Sequence, residues 1–186
     1  MNSFHIFKEF VMHRPVIHRA LAGFALLTAL PVAHAATAPS MCVKGDEAVL
    51  SCPLAKGGKT VSICARSDNA FYYAYGKPGA KPDMTWPAEG AQATGLTRTH
   101  LMFGGATGGN AYAFQNNGYK YIVYSISGTQ LEDGGVIVTK DGESKPIKNS
   151  KCAEGAKTQT DNADVRKAAR SLPEDPDLSN HGLPSN

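Results

Sequence analysis

The sequence has 186 residues, of which 42% are hydrophobic and 19% charged, with a formal net charge of +3, and it is long enough for one small folded domain. Three bases and one acid lie in the first 35 residues, so the remainder carries a charge of only +1. Because a nucleic-acid-binding domain shows a basic stripe, we expect no nucleic-acid partner.

The beginning of the chain has the pattern of an export signal. Basic residues precede an apolar run from Ala20 to Leu30, and Pro31–Ala35 ends in the small-x-small pattern that signal peptidases cleave. The true start is Met1 or Met12, because the residues after Met12 already form a complete basic opening. The run is too short for a permanent anchor. We therefore expect a signal peptide over 1–35, no stable membrane anchor after its cleavage, and a periplasmic or secreted protein.

The first element predicted after the signal is a β-hairpin that turns at Gly57-Gly58. This dipeptide takes the positive φ angles of a tight two-residue turn. Pairing across the turn sets Cys52 opposite Ile63 and places Cys64 on the other face, so a bond between Cys52 and Cys64 is disfavoured. Six apolar side chains then share one face: Leu50, Cys52, Leu54, Val61, Ile63 and Ala65.

All four cysteines lie after the signal, and an even number in an exported chain predicts two disulfides. With Cys52–Cys64 disfavoured, two sets remain open. The first joins Cys42 to Cys64 and Cys52 to Cys152, and the second joins Cys42 to Cys52 and Cys64 to Cys152. No Cys-x-x-Cys pair is present, so neither a metal site nor a cofactor is expected.

Turn residues recur along 36–152 at the spacing of an all-β domain, about every eight to twelve residues. The connections are too short for parallel crossovers. The fold class predicted is an antiparallel β-barrel or sandwich, a meander of about eight strands, with Gly104–Gly109 as a flexible loop. Further strands are predicted over 71–75, 81–86, 98–103, 110–115, 119–126, 136–139 and 144–148.

The last segment, 153–186, differs in character from the β-domain. Thr160 to Leu172 has acids near its start and bases near its end, and Pro173 follows, which predicts one short helix. The residues beyond are polar with repeated Pro and Gly, which is typical of a flexible, disordered tail.

Few residues are available for catalysis. Of six histidines, four lie within the predicted signal, which leaves His100 and His181. An envelope hydrolase would need His100 as its base, but no serine lies in a nucleophile elbow. We expect a protein that is not an enzyme. An envelope hydrolase that uses His100 is the third hypothesis, after the two binding functions described below.

Tyrosines are abundant for so short a domain. Tyr73 and Tyr75 share one face of a predicted strand, and Tyr119 and Tyr121 share a face of another. Tyrosines on a sheet make good contact surfaces for sugars and proteins. The function predicted is non-enzymatic binding in the cell envelope, with an envelope protein or a glycan as partner.

Four motifs, taken as a set, resemble a group of small, uncharacterised exported proteobacterial proteins, over roughly 42–152. The resemblance brings no activity with it. The motifs are Leu50-Ser-Cys52, Val61-Ser-Ile-Cys64, Tyr73-x-Tyr-Gly-Lys-Pro78 and Asn117-Gly-Tyr-x-Tyr121.

A second, weaker similarity is to periplasmic inhibitors of c-type lysozyme, which are small disulfide-linked β-barrels. They insert a Ser-Gly loop and a lysine into the lysozyme cleft. Here Ser127-Gly128 and Lys140 stand in those places, while Leu131 and Glu132 occupy the stretch where the inhibitors have an aromatic residue. This similarity implies lysozyme as a partner and Ser127 and Lys140 as contact residues.

Overall fold

The computed structural model describes residues 39–88, 91 and 93–185. The predicted signal peptide and both candidate start residues lie outside this range. The described residues form two antiparallel five-stranded sheets and two short helices. The predicted all-β antiparallel fold is therefore confirmed, and of the two architectures proposed it is the sandwich.

The strands follow the predicted meander closely, with one addition at the end. The strands are β1 (Glu47–Pro53), β2 (Thr60–Ala65), β3 (Phe71–Gly76), β4 (Met84–Trp86), β5 (Thr97–Met102), β6 (Thr107–Asn116), β7 (Tyr119–Gly128), β8 (Asp133–Lys140), β9 (Pro146–Lys151) and β10 (Thr158–Gln159). The helices are α1 (Ala163–Arg170) and α2 (Pro176–His181). The first residues of β6 lie within the predicted flexible loop.

Each sheet consists of consecutive strands apart from β10. The first sheet has the order β10-β1-β2-β3-β4, and the second has the order β5-β6-β7-β8-β9. β10 returns from the second sheet and pairs Gln159 with Leu50 and Thr158 with Ser51. Its two polar residues have no alternating apolar pattern, which is why the sequence did not reveal this strand.

The hairpin of β1 and β2 has the predicted faces but a different register. Cys52 lies opposite Val61, two residues from its predicted partner, so the loop contains residues 55–58 and not the two glycines alone. Leu54 forms a bridge with Cys152, which holds the end of β1 extended. Because the shift is an even number of residues, the same six apolar side chains still face the core.

Two disulfides cross-link the described chain in the first of the two predicted sets. Cys42 is bonded to Cys64, and Cys52 is bonded to Cys152. The second bond joins β1 of the first sheet to the segment that follows β9 of the second sheet. None of the four cysteines is free, and such cross-links are typical of proteins from oxidising compartments.

The main core lies between the two sheets. Leu50, Ile63 and Tyr73 of the first sheet pack against Phe114 and Val123 of the second, and each is at most 2% exposed. Burial of side chains of this size contributes roughly 1.5–3 kcal/mol each. The alternation of apolar residues along these strands therefore determines which faces meet.

The outer face of the second sheet is also apolar, and the C-terminal segment covers it. Ile122, Tyr124 and Ile137 are at most 2% exposed, and Leu178 of α2 packs against them with 3% exposure. The prediction of a flexible tail therefore differs from the structure. The physical reason is that β7 has apolar side chains on both faces, so the outer face also requires a cover.

Both helices are capped and anchored by side chains. Asn162 accepts hydrogen bonds from the first turn of α1, and Val165 and Ala169 enter the main core. Asp175 caps α2 and forms an ion pair with Lys120, with 2.7 Å between Oδ1 and Nζ. The predicted helix over 160–172 is thus present as α1, and a second helix follows it.

Candidate functional site

Four of the predicted contact residues line one cavity of about 380 Å³, which we call the tyrosine groove. Tyr73 and Tyr75 reach it from β3, and Tyr119 and Tyr121 reach it from β7. Since alternate residues of a strand point to the same side, each pair projects together into the space between the sheets. The lining is completed by Asp83, Met84, Val136, Val138, Ile147 and Lys148.

Stacked aromatic rings pack against two of the groove tyrosines, Tyr73 and Tyr121. The ring of Phe114 lies parallel to that of Tyr121 with 5.1 Å between centroids, and Trp86 stacks on Phe114 at 4.3 Å. Tyr73 is tilted against Phe114 at 5.0 Å. Such contacts add about 0.5–1.5 kcal/mol each to the burial of the rings. These contacts hold Tyr73 and Tyr121 in place, so the floor of the groove that they form is preformed.

The rim of the groove is more exposed than its floor. Tyr119 is 38% exposed and Ile147 is 59% exposed, whereas Tyr73 is 2% exposed. Burial, and secondarily the neighbouring Tyr75 and Tyr121, raise the pKa of Tyr73, so its hydroxyl stays protonated at neutral pH. The groove thus combines a neutral aromatic floor with apolar and hydroxyl groups at its edge.

Two lysines and one carboxylate supply the charges at the groove. Nζ of Lys59 lies 5.0 Å from the ring centroid of Tyr75 and pairs with Asp83 at 2.9 Å. Nζ of Lys148 lies 5.9 Å from the same centroid. Asp83, with Tyr75 to a lesser degree, raises the pKa of Lys59. The edge therefore offers both donors and acceptors of hydrogen bonds.

Ser127 and Lys140, the contact residues implied by the similarity to lysozyme inhibitors, are not brought together. Ser127 Oγ donates to Glu132 at 3.3 Å near the end of β7. Lys140 lies opposite Tyr119 at the start of β7 and pairs with Glu143. Eight strand positions separate the two sites, which corresponds to roughly 26 Å. The tyrosine groove contains neither residue.

Other predicted features lie apart from the groove. His100 is exposed, and among the described residues its one hydrogen-bond partner is Asn110, at 3.5 Å. Gly108 and Gly109 form part of β6, where a Cβ on Gly109 would lie 1.9 Å from the Ser125 carbonyl oxygen. This half of the glycine-rich stretch is therefore tightly packed, and it does not line the groove.

The described residues contain no group of three or more His, Cys, Asp or Glu side chains placed to hold a metal ion. No helix in that part of the chain has the length and apolar character needed to cross a bilayer.

Phe114 and Trp86, which pack against the groove tyrosines without lining the groove, were not among the predicted site residues. Asn117-Gly118 forms the predicted hairpin turn, which places Phe114 opposite Tyr121. This pairing follows from the turn type, and it could have identified Phe114. Trp86 pairs with Tyr73 across β3 and β4, a contact that no local pattern specifies.

Comparison with models of protein families, with curated proteins and with solved structures finds no match for this chain.

Proposed function

We propose that the protein is an exported binding protein of the cell envelope that holds a glycan in the tyrosine groove and catalyses no reaction. The observation that carries this proposal is the convergence of four tyrosines, from both sheets, on one cavity of about 380 Å³. Ligand sites are concave, mostly apolar and preformed, with a few polar groups that orient the ligand. The tyrosine groove has each of these properties.

The chemistry of the groove favours a sugar over a cationic ligand. Sugar rings present C–H groups to aromatic faces and hydroxyls to polar groups, and the groove offers tyrosine rings together with Asp83 and Lys148. A cation would compete with Lys59 and Lys148, which already lie near the ring of Tyr75. The tyrosine hydroxyls and Nζ of Lys148 suit a neutral or weakly acidic glycan.

Two features support a periplasmic or secreted location. Both disulfides join cysteines that are far apart in the sequence, and such bonds persist in oxidising compartments. The pattern over 1–35 is typical of a signal peptide. Glycans of the cell envelope are accessible from that location.

The test measures binding of soluble peptidoglycan glycan-strand fragments to residues 36–186 by calorimetry. Tyr119→Ala removes a partly exposed ring at the groove edge. Because an aromatic contact contributes about 1 kcal/mol, the variant should bind roughly five-fold more weakly. Phe103→Ala is the matched control, since Phe103 is also partly exposed, at 43%, and lies outside the groove. Equal affinity of Tyr119→Ala and the unchanged protein would refute the groove as the site.

Lysozyme inhibition is the alternative proposal and is measured with the same preparations. Excess protein is added to a c-type lysozyme assay. Inhibition that is lost in Ser127→Ala and Lys140→Ala but kept in Tyr119→Ala would replace glycan binding by the inhibitor function. Unchanged lysozyme activity would remove that alternative.

A further inference from the structure

A second cavity, of about 230 Å³, lies on the opposite side of the sandwich from the tyrosine groove. Its walls come from β1 and β10 of the first sheet, β5 and β6 of the second, and α1. Arg98, Arg166 and Arg170 line it together, and we call it the arginine pocket.

The three guanidinium groups come from two elements. Arg166 and Arg170 are four residues apart on α1 and therefore share one side of that helix. Arg98 reaches the pocket from β5. Like charges at this helical spacing are mutually destabilising. Only one acidic side chain, that of Asp161, lines the pocket among the described residues.

Within the described part of the chain, none of the three arginines forms an ion pair with a carboxylate. Two of the neutral polar side chains of the pocket already have hydrogen-bond partners. Gln159 Nε2 donates to Ser125 Oγ at 2.9 Å, and the Thr160 hydroxyl donates to Glu47. Most of the remaining donor capacity belongs to the guanidinium groups, each with five N–H donors.

The side chain of Arg98 is held in place. It donates to Asn110 Oδ1, and its backbone N–H donates to the Pro173 carbonyl at 2.9 Å. Tyr112 lies beside it: burial raises the pKa of Tyr112, and the charge and hydrogen bond of Arg98 oppose that shift. Only part of the donor capacity of Arg98 is used by these contacts, and Arg166 and Arg170 are exposed.

We propose that the arginine pocket binds a doubly charged oxyanion, namely phosphate, either free or as a phosphate monoester. Three guanidinium groups and one carboxylate leave a balance of two positive charges, which a phosphate dianion neutralises. The planar fork of arginine matches the oxygens of a phosphate and binds them in pairs. This site is separate from the tyrosine groove and independent of the glycan proposal.

The test uses calorimetric titration of residues 36–186 with inorganic phosphate and, separately, with glycerol 3-phosphate at low ionic strength. We expect saturable binding that weakens as salt is added, because the interaction is between charges. Stronger binding of the ester would assign the site to a phosphorylated molecule, and stronger binding of inorganic phosphate would assign it to the free anion. The absence of saturable binding of both probes would overturn the proposal.

Arg98→Gln and Arg170→Gln should each weaken phosphate binding at least ten-fold. Lys167→Gln is the matched control, because it removes the same charge from the same helix at a residue outside the pocket. Circular dichroism melting of each variant establishes that it is folded, and Arg166→Gln replaces any variant that is not. Equal loss of affinity in Lys167→Gln and Arg98→Gln would show only general charge attraction and would overturn the site.

Discussion

At the level of single residues, one phenol ties the segment before β1 to the first sheet. The Tyr72 hydroxyl accepts a hydrogen bond from the Val43 backbone N–H and donates to Asp46, both at 2.8 Å. The side chain is 4% exposed. Burial, together with the hydrogen bond to Asp46, raises the pKa of Tyr72 to about 12.

This raised pKa makes the stability of the protein sensitive to alkaline pH. The folded state retains the proton to about pH 12, whereas an unfolded tyrosine loses it near 10.0. The contribution is therefore complete below pH 10 and is lost as the pH rises from 10 towards 12. Urea unfolding at several pH values should show this loss of stability. The Tyr72→Phe variant should be less stable by about 1 kcal/mol at pH 8. Its free energy of unfolding should then fall by less between pH 10 and pH 12, because it has no phenol to ionise at this position. A loss of the same size in Tyr72→Phe would contradict the assignment.

At the level of elements, each sheet has an outer face that a neighbouring segment covers. The segment around Met41 and Cys42 packs on Cys64 and Tyr72 of the first sheet. The helix α2 packs on the second sheet through Leu178. Covering segments of this kind have few contacts of their own, so their order depends on the sheet beneath them.

Truncation of Leu178 tests whether α2 is part of the folded unit. Leu178→Ala removes a side chain that is 3% exposed and should lower the free energy of unfolding by about 2–4 kcal/mol. Asn180→Ala, at an exposed position of the same helix, should change it by less than about 0.5 kcal/mol. Chemical denaturation measures both. Equal stabilities of the two variants would mean that α2 is detached from the sheet in solution.

Turn residues and the alternation of apolar side chains predicted most of the strands. Long-range packing determined the register of the first hairpin and the order of the C-terminal segment. Asn117-Gly118 and the alternation along β7 were sufficient for one hairpin, and the tyrosines of the groove follow from the alternation along β3 and β7. The register of the first hairpin depends on the bridge from Leu54 to Cys152, which no local pattern contains. The order of the tail depends on the same kind of distant contact, because only the apolar outer face of β7 explains why Leu178 is buried.

At the level of the whole molecule, the sandwich has an opening on each side. The tyrosine groove lies between β3, β4 and the strands β7 to β9, and the arginine pocket lies between β10, β1 and the strands β5 and β6. The main core separates them. One small domain can therefore carry two sites of different chemistry, one aromatic and one cationic.

The disulfide between Cys52 and Cys152 links the two sheets, and its removal should cost more stability than removal of the other bond. It closes a loop with a sequence separation of 100, against 22 for Cys42–Cys64. Loop-closure entropy predicts losses of about 5 and about 3 kcal/mol for the corresponding double alanine variants. Cys52 and Cys64 are both fully buried, so the lost side-chain volume is matched. Thermal and urea unfolding compare the two variants, and the reverse order would contradict the entropic account.

The pairing of the last strand with the first also sets an order on assembly. β1 lacks its outer neighbour until β10 is available to fold, because the two are the first and the last strands of the described chain. Three cysteines emerge well before Cys152, so Cys52 must keep a free thiol while Cys42 and Cys64 are already able to react. Cys52 emerges between Cys42 and Cys64, so the order of emergence does not itself exclude a bond between Cys42 and Cys52. Closure of Cys42–Cys64 consumes both early competitors and leaves Cys52 as the single thiol that awaits Cys152.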